Sequence, residues 1–221
     1  MKGFLEGKNI VITGAGSGIG KAIAIATAKE GANIVVADYG VALDGSEPTS
    51  EIAESTSEEI RALGVEAIPV AGDVSKMETG EQVISAAVEN WGSVDGVVCV
   101  AGILRERMLF NMSEDEWDAV IAVHLKGHFT VYRHAMAIMR KQESGGSILG
   151  ITSGAFTAST AQPNYSAAKG GIVSLTLPIA REFARYGVRV CTIAPGLFET
   201  PMINPFLPLI KIIITVSEIF K

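Results

Sequence analysis

Asn9-Ile10-Val11-Ile12-Thr13-Gly14-Ala15-Gly16-Ser17-Gly18-Ile19-Gly20 opens as a short apolar, β-branched run and then places four glycines within seven positions. An apolar run of this length closed by glycines reads as a buried strand entering a tight turn. An alanine-rich stretch, Ile19 to Lys29, follows as a helix, and Glu30-Gly31 stops it. Outward from this strand–turn–helix the same alternation repeats. Strands are predicted at Asn33–Ala37, Val65–Val70, Val94–Val100, Ser147–Thr152 and Val188–Ala194. Helices are predicted at Glu51–Leu63, Lys76–Asn90, from a capping box at Ser113/Glu116 to about Lys141, and over Tyr165–Arg185. Pro178 lies inside the last helix, where a lost amide donor and crowding against the carbonyl of Ser174 predict a kink. Strands alternating with helices of this length argue for a parallel sheet covered on both faces, a Rossmann-type three-layer α/β/α fold with a doubly wound sheet.

The composition sets the class. The 221 residues are 48% apolar and 19% charged, which excludes a disordered chain. A net charge of −6, from 18 basic and 24 acidic residues with no basic run, excludes a nucleic-acid footprint, so a small-molecule partner is expected. Residues Met1 to Gly7 lack the apolar core of a signal peptide, and no uninterrupted apolar run is long enough to span a membrane. The expected location is the cytoplasm. Two cysteines make no disulfide scaffold; Cys99 and Cys191, in the fourth and sixth strands, are read as buried and reduced.

The glycine turn is suited to a pyrophosphate: without side chains, backbone amides at a helix N-terminus approach the anion closely. It carries no Gly-Lys-Ser/Thr, so it is not a P-loop, and Ser17 has Ala15 and Ile19, not the glycines of a nucleophile elbow, two residues to either side. Asp38 ends the second strand eighteen residues beyond Gly20, where a carboxylate accepts the ribose hydroxyls of an adenosine and repels a 2′-phosphate. Tyr39, not an arginine, follows it. The reading is NAD in preference to NADP. Asp73, after the third strand, is placed to meet the adenine amino group. Tyr165 and Lys169, four apart on one helix, pair a phenol with an ammonium, and the lysine is expected to lower the phenol's pKa. Ser153, just after the fifth strand, offers a hydroxyl that polarises a carbonyl, and Thr152 is the fallback. His124 and His128 lack a third ligand or nearby carboxylate and are not read as a metal site. Phe129, Tyr132 and Met136, at helical spacing, are read as core or interface packing.

Together, Thr13-Gly14-x-x-x-Gly18-x-Gly20, Ala101-Gly102, Ser153, Tyr165-x-x-x-Lys169 and Pro195-Gly196 resemble the short-chain dehydrogenase/reductase family in order and spacing from Gly7 to Met202. The resemblance implies strand order 3-2-1-4-5-6 and a homodimer or homotetramer. It implies a cofactor-binding set of Thr13, Gly14, Gly16, Ser17, Gly18, Ile19, Gly20, Asp38, Asp73, Val74, Ala101, Gly102, Tyr165, Lys169, Pro195 and Gly196. It implies that Tyr165 is the proton donor and acceptor, that Lys169 binds the nicotinamide ribose and that Ser153 holds the substrate oxygen. His124 stands in the place of the family's helix asparagine and joins the catalytic set. The runs Ala101–Met108, Val123–Gly127 and Gln162–Tyr165 look similar to (3R)-hydroxyacyl-CoA dehydrogenase modules, which implies a 3-hydroxyacyl thioester or related secondary alcohol as substrate. Cys99-Val100 replaces the family's Asn-Asn.

After Met202 the likeness stops. Residues 1–202 are read as one dinucleotide-binding domain and 203–221 as an atypical apolar tail in place of the substrate lid and seventh strand. A truncated or frame-altered end is expected, the alternative being that Ile210–Val216 replaces the edge strand. The expected activity is oxidoreduction of a secondary alcohol and a ketone; the competing reading is a catalytically impaired dinucleotide-binding protein.

Overall fold

The computed structural model describes residues 3–157 and 159–196. Six strands form one fully parallel sheet: β1 (Asn9–Thr13), β2 (Asn33–Ala37), β3 (Ala67–Val70), β4 (Gly96–Cys99), β5 (Gly146–Ile151) and β6 (Val188–Ile193), in the order β3-β2-β1-β4-β5-β6. This is the order that the resemblance implies. The connecting helices are α1 (Gly18–Lys29), α2 (Glu51–Arg61), α3 (Met77–Trp91), α4 (Glu114–Ile121), α5 (Gly127–Met139) and α6 (Pro163–Phe183).

Alternation along β1 sorts the two faces. Ile10 and Ile12 join Ile34, Val36, Ala24, Ala28, Ala53 and Ile60 in a core against α1 and α2. Val11 joins Val35, Val83, Ala87, Val97, Tyr132, Met136 and Ile148 in a second core against α3 and α5. Tyr132 and Met136 are packed there as expected, whereas Phe129 of the same stripe points outward and is exposed.

Four local outcomes differ from or refine the sequence reading. The capping box at Ser113 and Glu116 forms in both directions, and the helix it opens runs on to Met139 with a π-helical turn, Ala122–Lys126, set between its α4 and α5 portions. Pro163 occupies the first turn of α6, where its missing amide costs nothing. The same helix runs through Pro178 as one element. Cys99 is buried, but Cys191 is exposed, contrary to expectation. Its side of the sheet is the α1/α2 face, and among the described residues those two helices cover the β1–β3 half and leave β6 open, with Ile193 also exposed. The expectations for the tail beyond Gly196 lie outside the described residues.

The helix layer over β1 and β4 is close-packed at Gly80 of α3, where a Cβ would stand 2.7 Å from the Thr130 carbonyl oxygen of α5. A Gly80→Ala variant is expected to lose about 1–3 kcal/mol of stability, because backbone and not a flexible side chain must move. The check is a lower urea midpoint at unchanged slope; an unchanged midpoint contradicts the packing.

Candidate active site

Winding reverses between β1 and β4, and a doubly wound sheet leaves a crevice there at the carboxyl ends of its strands. A cavity of about 580 Å³ occupies that position. Gly14, Ser17, Gly18, Ile19, Gly20, Asp38, Asp73, Val74, Ala101, Gly102, His124, Ser153, Tyr165, Lys169, Pro195 and Gly196 all line it. Of the sequence-derived set, Thr13 and Gly16 stand behind the wall. Thr13 is buried, and its Oγ1 accepts from the amides of Val100 and Ala101 at 3.2 and 3.4 Å, which brings the start of the β4 loop against β1.

The glycine turn is built on the absence of side chains. Gly14 has φ +67°, and a Cβ on it would stand 2.7 Å from the Ala101 amide nitrogen; one on Gly20 would strike the Gly14 carbonyl oxygen. Ser17 precedes α1 in extended conformation and makes no side-chain cap bond, so the first-turn amides of α1 have no side-chain acceptor from it. Asp38 fastens the turn from the side: Oδ2 accepts from the Gly16 amide and Oδ1 from the Gly40 amide, each at 2.7 Å. Gly16 therefore acts by admitting this carboxylate, since a Cβ there would press on Asp38 and Ile52. A glycine-rich turn at an uncapped helix N-terminus and a carboxylate at the end of β2 fit a dinucleotide. Asp73 is less free than its lone carboxylate suggests: Oδ1 accepts from the Ser75 amide at 2.9 Å and Oδ2 lies 4.0 Å from the Lys76 ammonium. Lys76 and Arg105 also line the crevice; Arg105 lies in the Ala101–Met108 run that carries the narrower likeness, and Lys76 belongs to no motif.

At the other end, α6 packs against β5 and presents Tyr165 and Lys169. Lys169 is 2% exposed, and its Nζ donates to the Ile151 carbonyl at 2.7 Å. Burial holds this ammonium down to about 7. It lies 5.4 Å from the centroid of the Tyr165 ring. Burial raises the phenol above its ordinary range and outweighs the nearby Ser153 hydroxyl, which draws it down. The expectation that Lys169 lowers the phenol is thus corrected: in the protein by itself desolvation dominates, and the lysine is itself pushed toward neutrality. Thr152, the fallback hydroxyl, donates to the Lys169 carbonyl at 2.7 Å and is buried, so it serves α6 and leaves Ser153 beside the phenol.

His124 sits in the π-helical turn, a geometry frequent at functional sites. Its ring packs edge-on to Tyr165 with centroids 5.0 Å apart. Nε2 lies 2.8 Å from the Ile103 carbonyl oxygen and 3.2 Å from its amide nitrogen, and donation to the carbonyl is the shorter arrangement. Gly102 admits the ring, since a Cβ there would run into it. The His128 ring turns away, its Nδ1 donating to the His124 carbonyl at 2.6 Å. Burial first and Lys169 second drive both imidazoles well below the ordinary range, so they are neutral near pH 7.

The depressed lysine has a stability signature. Unfolded, Lys169 titrates near 10.4; folded, it does so at about 7. Between these values the unfolded chain binds the extra proton, so stability rises with pH across that window. The difference in unfolding free energy between the native chain and a Lys169→Met variant is expected to move in favour of the native chain by about 1.4 kcal/mol per pH unit between about pH 8 and pH 10. A flat difference measured by denaturant titration contradicts the buried-lysine geometry.

The sequence model of the family described as short chain dehydrogenase matches residues 8–208. The chain is 45% identical over 199 residues to the hydroxyacyl-CoA dehydrogenase ChsB1 of Mycobacterium tuberculosis, covering 86% of this chain and 61% of that protein. It therefore spans less than two thirds of that relative's length. It is 38% identical over 200 residues to the 3-oxoacyl-[acyl-carrier-protein] reductase FabG of Thermotoga maritima, covering 90% of this chain and 77% of that one. Among solved structures, a short chain dehydrogenase from Mycobacterium avium superposes with a TM-score of 0.82 at 48% identity, covering 88% of this chain and 69% of that one. Among the described residues no helix is long and apolar enough to cross a membrane. With the fold, the glycine crevice and the Tyr165/Lys169 pair in place, the chain belongs to the short-chain dehydrogenase family.

Proposed function

We propose that this chain is an NAD-dependent oxidoreductase that interconverts a secondary alcohol and a ketone, with a 3-hydroxyacyl thioester as its substrate class. One observation carries the reading: Ser153 and the phenol of Tyr165, packed over buried Lys169, face the same crevice as the glycine turn and Asp38. The thioester is supported by relatives named as a hydroxyacyl-CoA dehydrogenase and a 3-oxoacyl-[acyl-carrier-protein] reductase.

Gly14, Gly18, Gly20 and the first turn of α1 would hold the pyrophosphate of the dinucleotide, and Asp38 its adenosine ribose. A bound nicotinamide supplies the hydride acceptor for the alcohol carbon, or the donor for the ketone carbon. Ser153 donates a hydrogen bond to the substrate oxygen and so orients it toward Tyr165. Tyr165 then moves the proton: its hydroxyl gives one to the oxygen in reduction, and its phenolate takes one in oxidation. Burial keeps the phenol protonated, the form that reduction needs. Lys169 would hold the nicotinamide ribose and, when protonated, favours the phenolate. His124 holds the Ile103 backbone beside the ring of Tyr165.

The test mixes purified protein and NAD with a 3-hydroxyacyl-CoA and a panel of simple secondary alcohols, and follows NADH absorbance. Turnover is expected, and Tyr165→Phe is expected to lower it by about 10²–10⁴-fold while leaving cofactor affinity within about twofold. NADH binding without turnover on any panel member favours the binding-only reading. The raised phenol also sets a pH profile: the oxidation rate is expected to climb with pH past the ordinary tyrosine value near 10, and the reduction rate to fall over the same range. An oxidation rate that levels off below neutrality contradicts the assignment of Tyr165 as the titrating base.

A further inference from the structure

We propose that Asn164 is a positioning residue that fixes Tyr165 by tying the first turn of α6 to the loop after β4 and to α4. This rests on the catalytic role given to Tyr165 above. Asn164 does not line the crevice; it lies behind it, 1% exposed. Its Nδ2 uses both hydrogens, donating to the Arg105 carbonyl and to the Glu116 carbonyl, each at 2.9 Å. Its Oδ1 accepts from the Tyr165 amide at 2.8 Å. One buried amide therefore joins three segments, with the backbone nitrogen of Tyr165 as one of its three partners.

The surroundings place this clamp where α6 lacks another. Gln162, just before the helix, makes no cap bond; its side chain meets Glu106 and Ser159 instead. Ala161, one residue earlier, has φ +61°, a left-handed conformation that costs a non-glycine residue energy and needs support. That support is the Arg107 amide, which donates to the Ala161 carbonyl at 2.8 Å. The approach to Tyr165 is thus held at two points by residues 105–107, once through Ala161 and once through Asn164. The same loop reaches the segment after Asp38: the Leu104 amide donates to the Leu43 carbonyl, and Arg105 Nε to the Asp44 carbonyl, each at 2.9 Å. Asn164 consequently links the cofactor-side loop to the phenol.

The chemistry of the residue is specific. An aspartate keeps an acceptor for the Tyr165 amide but turns a carboxylate toward two carbonyl oxygens that need donors. A serine keeps a hydroxyl acceptor near the same amide and loses the double donation. An alanine leaves all three backbone groups without their partner. A displacement of the phenol by an ångström from Ser153 and the substrate oxygen is enough to cost about 10²-fold in rate.

The test compares Asn164→Ala, Asn164→Asp and Asn164→Ser with the native chain, with thermal unfolding reporting the fold of each. Turnover with NAD and the best substrate of the panel is expected to lose about 10²-fold in kcat in Asn164→Asp and Asn164→Ala and less in Asn164→Ser. Cofactor affinity, read by NADH fluorescence, is expected to stay within about twofold. A second readout needs no turnover: the chain has four tyrosines, and in protein labelled with [13Cζ]tyrosine the Tyr165 resonance is identified by its loss in Tyr165→Phe. In every folded Asn164 variant that resonance and its titration midpoint are expected to move while those of Tyr39 and Tyr186 stay put. If the alanine and aspartate variants do not fold, the serine variant decides by the same two readouts. A folded variant with kcat within twofold of native and an unmoved Tyr165 resonance overturns the proposal. A native chain that turns over nothing defeats the proposed reaction instead, and the Tyr165 resonance still decides the role of Asn164.

Discussion

The crevice at the turning point of the sheet exists because four positions around it have no Cβ. Gly14 stands against the Ala101 backbone, Gly20 against Gly14, Gly16 against Asp38, and Gly102 against the His124 ring. Each contact is too short for a methyl group, and at Gly14 the left-handed backbone adds a second reason for glycine. These contacts bring β1, the start of α1, the end of β2 and the loop after β4 to one place. The carboxylate of Asp38 then ties the turn, through the Gly16 amide, to the segment after β2, through the Gly40 amide.

The Tyr165 end of the crevice depends on the opposite device, a long polar side chain driven into the interior. Lys169 crosses from α6 to the last residue of β5 and pairs with a carbonyl. Thr152 returns the bond from the strand end to the helix. These two reciprocal bonds set the spacing between Ser153 and Tyr165, so the phenol and the hydroxyl meet although they are twelve residues apart. The cost is the charge: burial weakens the ammonium and the phenolate alike, and the neutral imidazoles of His124 and His128 add no charge to the pocket near neutral pH. Protonation of this site is set by desolvation before any pairwise attraction.

Much of this could be read from the chain. Runs such as Ile10-Val11-Ile12 and Ile34-Val35-Val36 are apolar on both sides because both faces of a parallel sheet are covered, and that made the strands readable, while their order followed from the family resemblance. Glycines at fixed distances from a strand, Asp38 at its neighbour's end and a Tyr/Lys pair one helical turn apart each carry local signals. What was not legible is long-range or energetic. Nothing local marks the π-helical turn at Ala122–Lys126. Cys191 looks like any strand cysteine until the helices are seen to cover only the other half of its face. The direction of the Tyr165 shift depends on how much water the fold removes, which no spacing encodes. Asn164 passed unremarked because its three partners lie at Arg105, Glu116 and Tyr165, and two of them are backbone carbonyls far away in sequence.

The central claim is that this crevice takes a dinucleotide whose adenosine ribose is read by Asp38. The most direct measurement is calorimetric titration of the chain with NADH and, separately, NADPH at the same ionic strength. NADH is expected to bind at least about tenfold more tightly, a difference of about 1.4 kcal/mol, because a 2′-phosphate would meet the Asp38 carboxylate. Equal affinity, or tighter binding of NADPH, would contradict it.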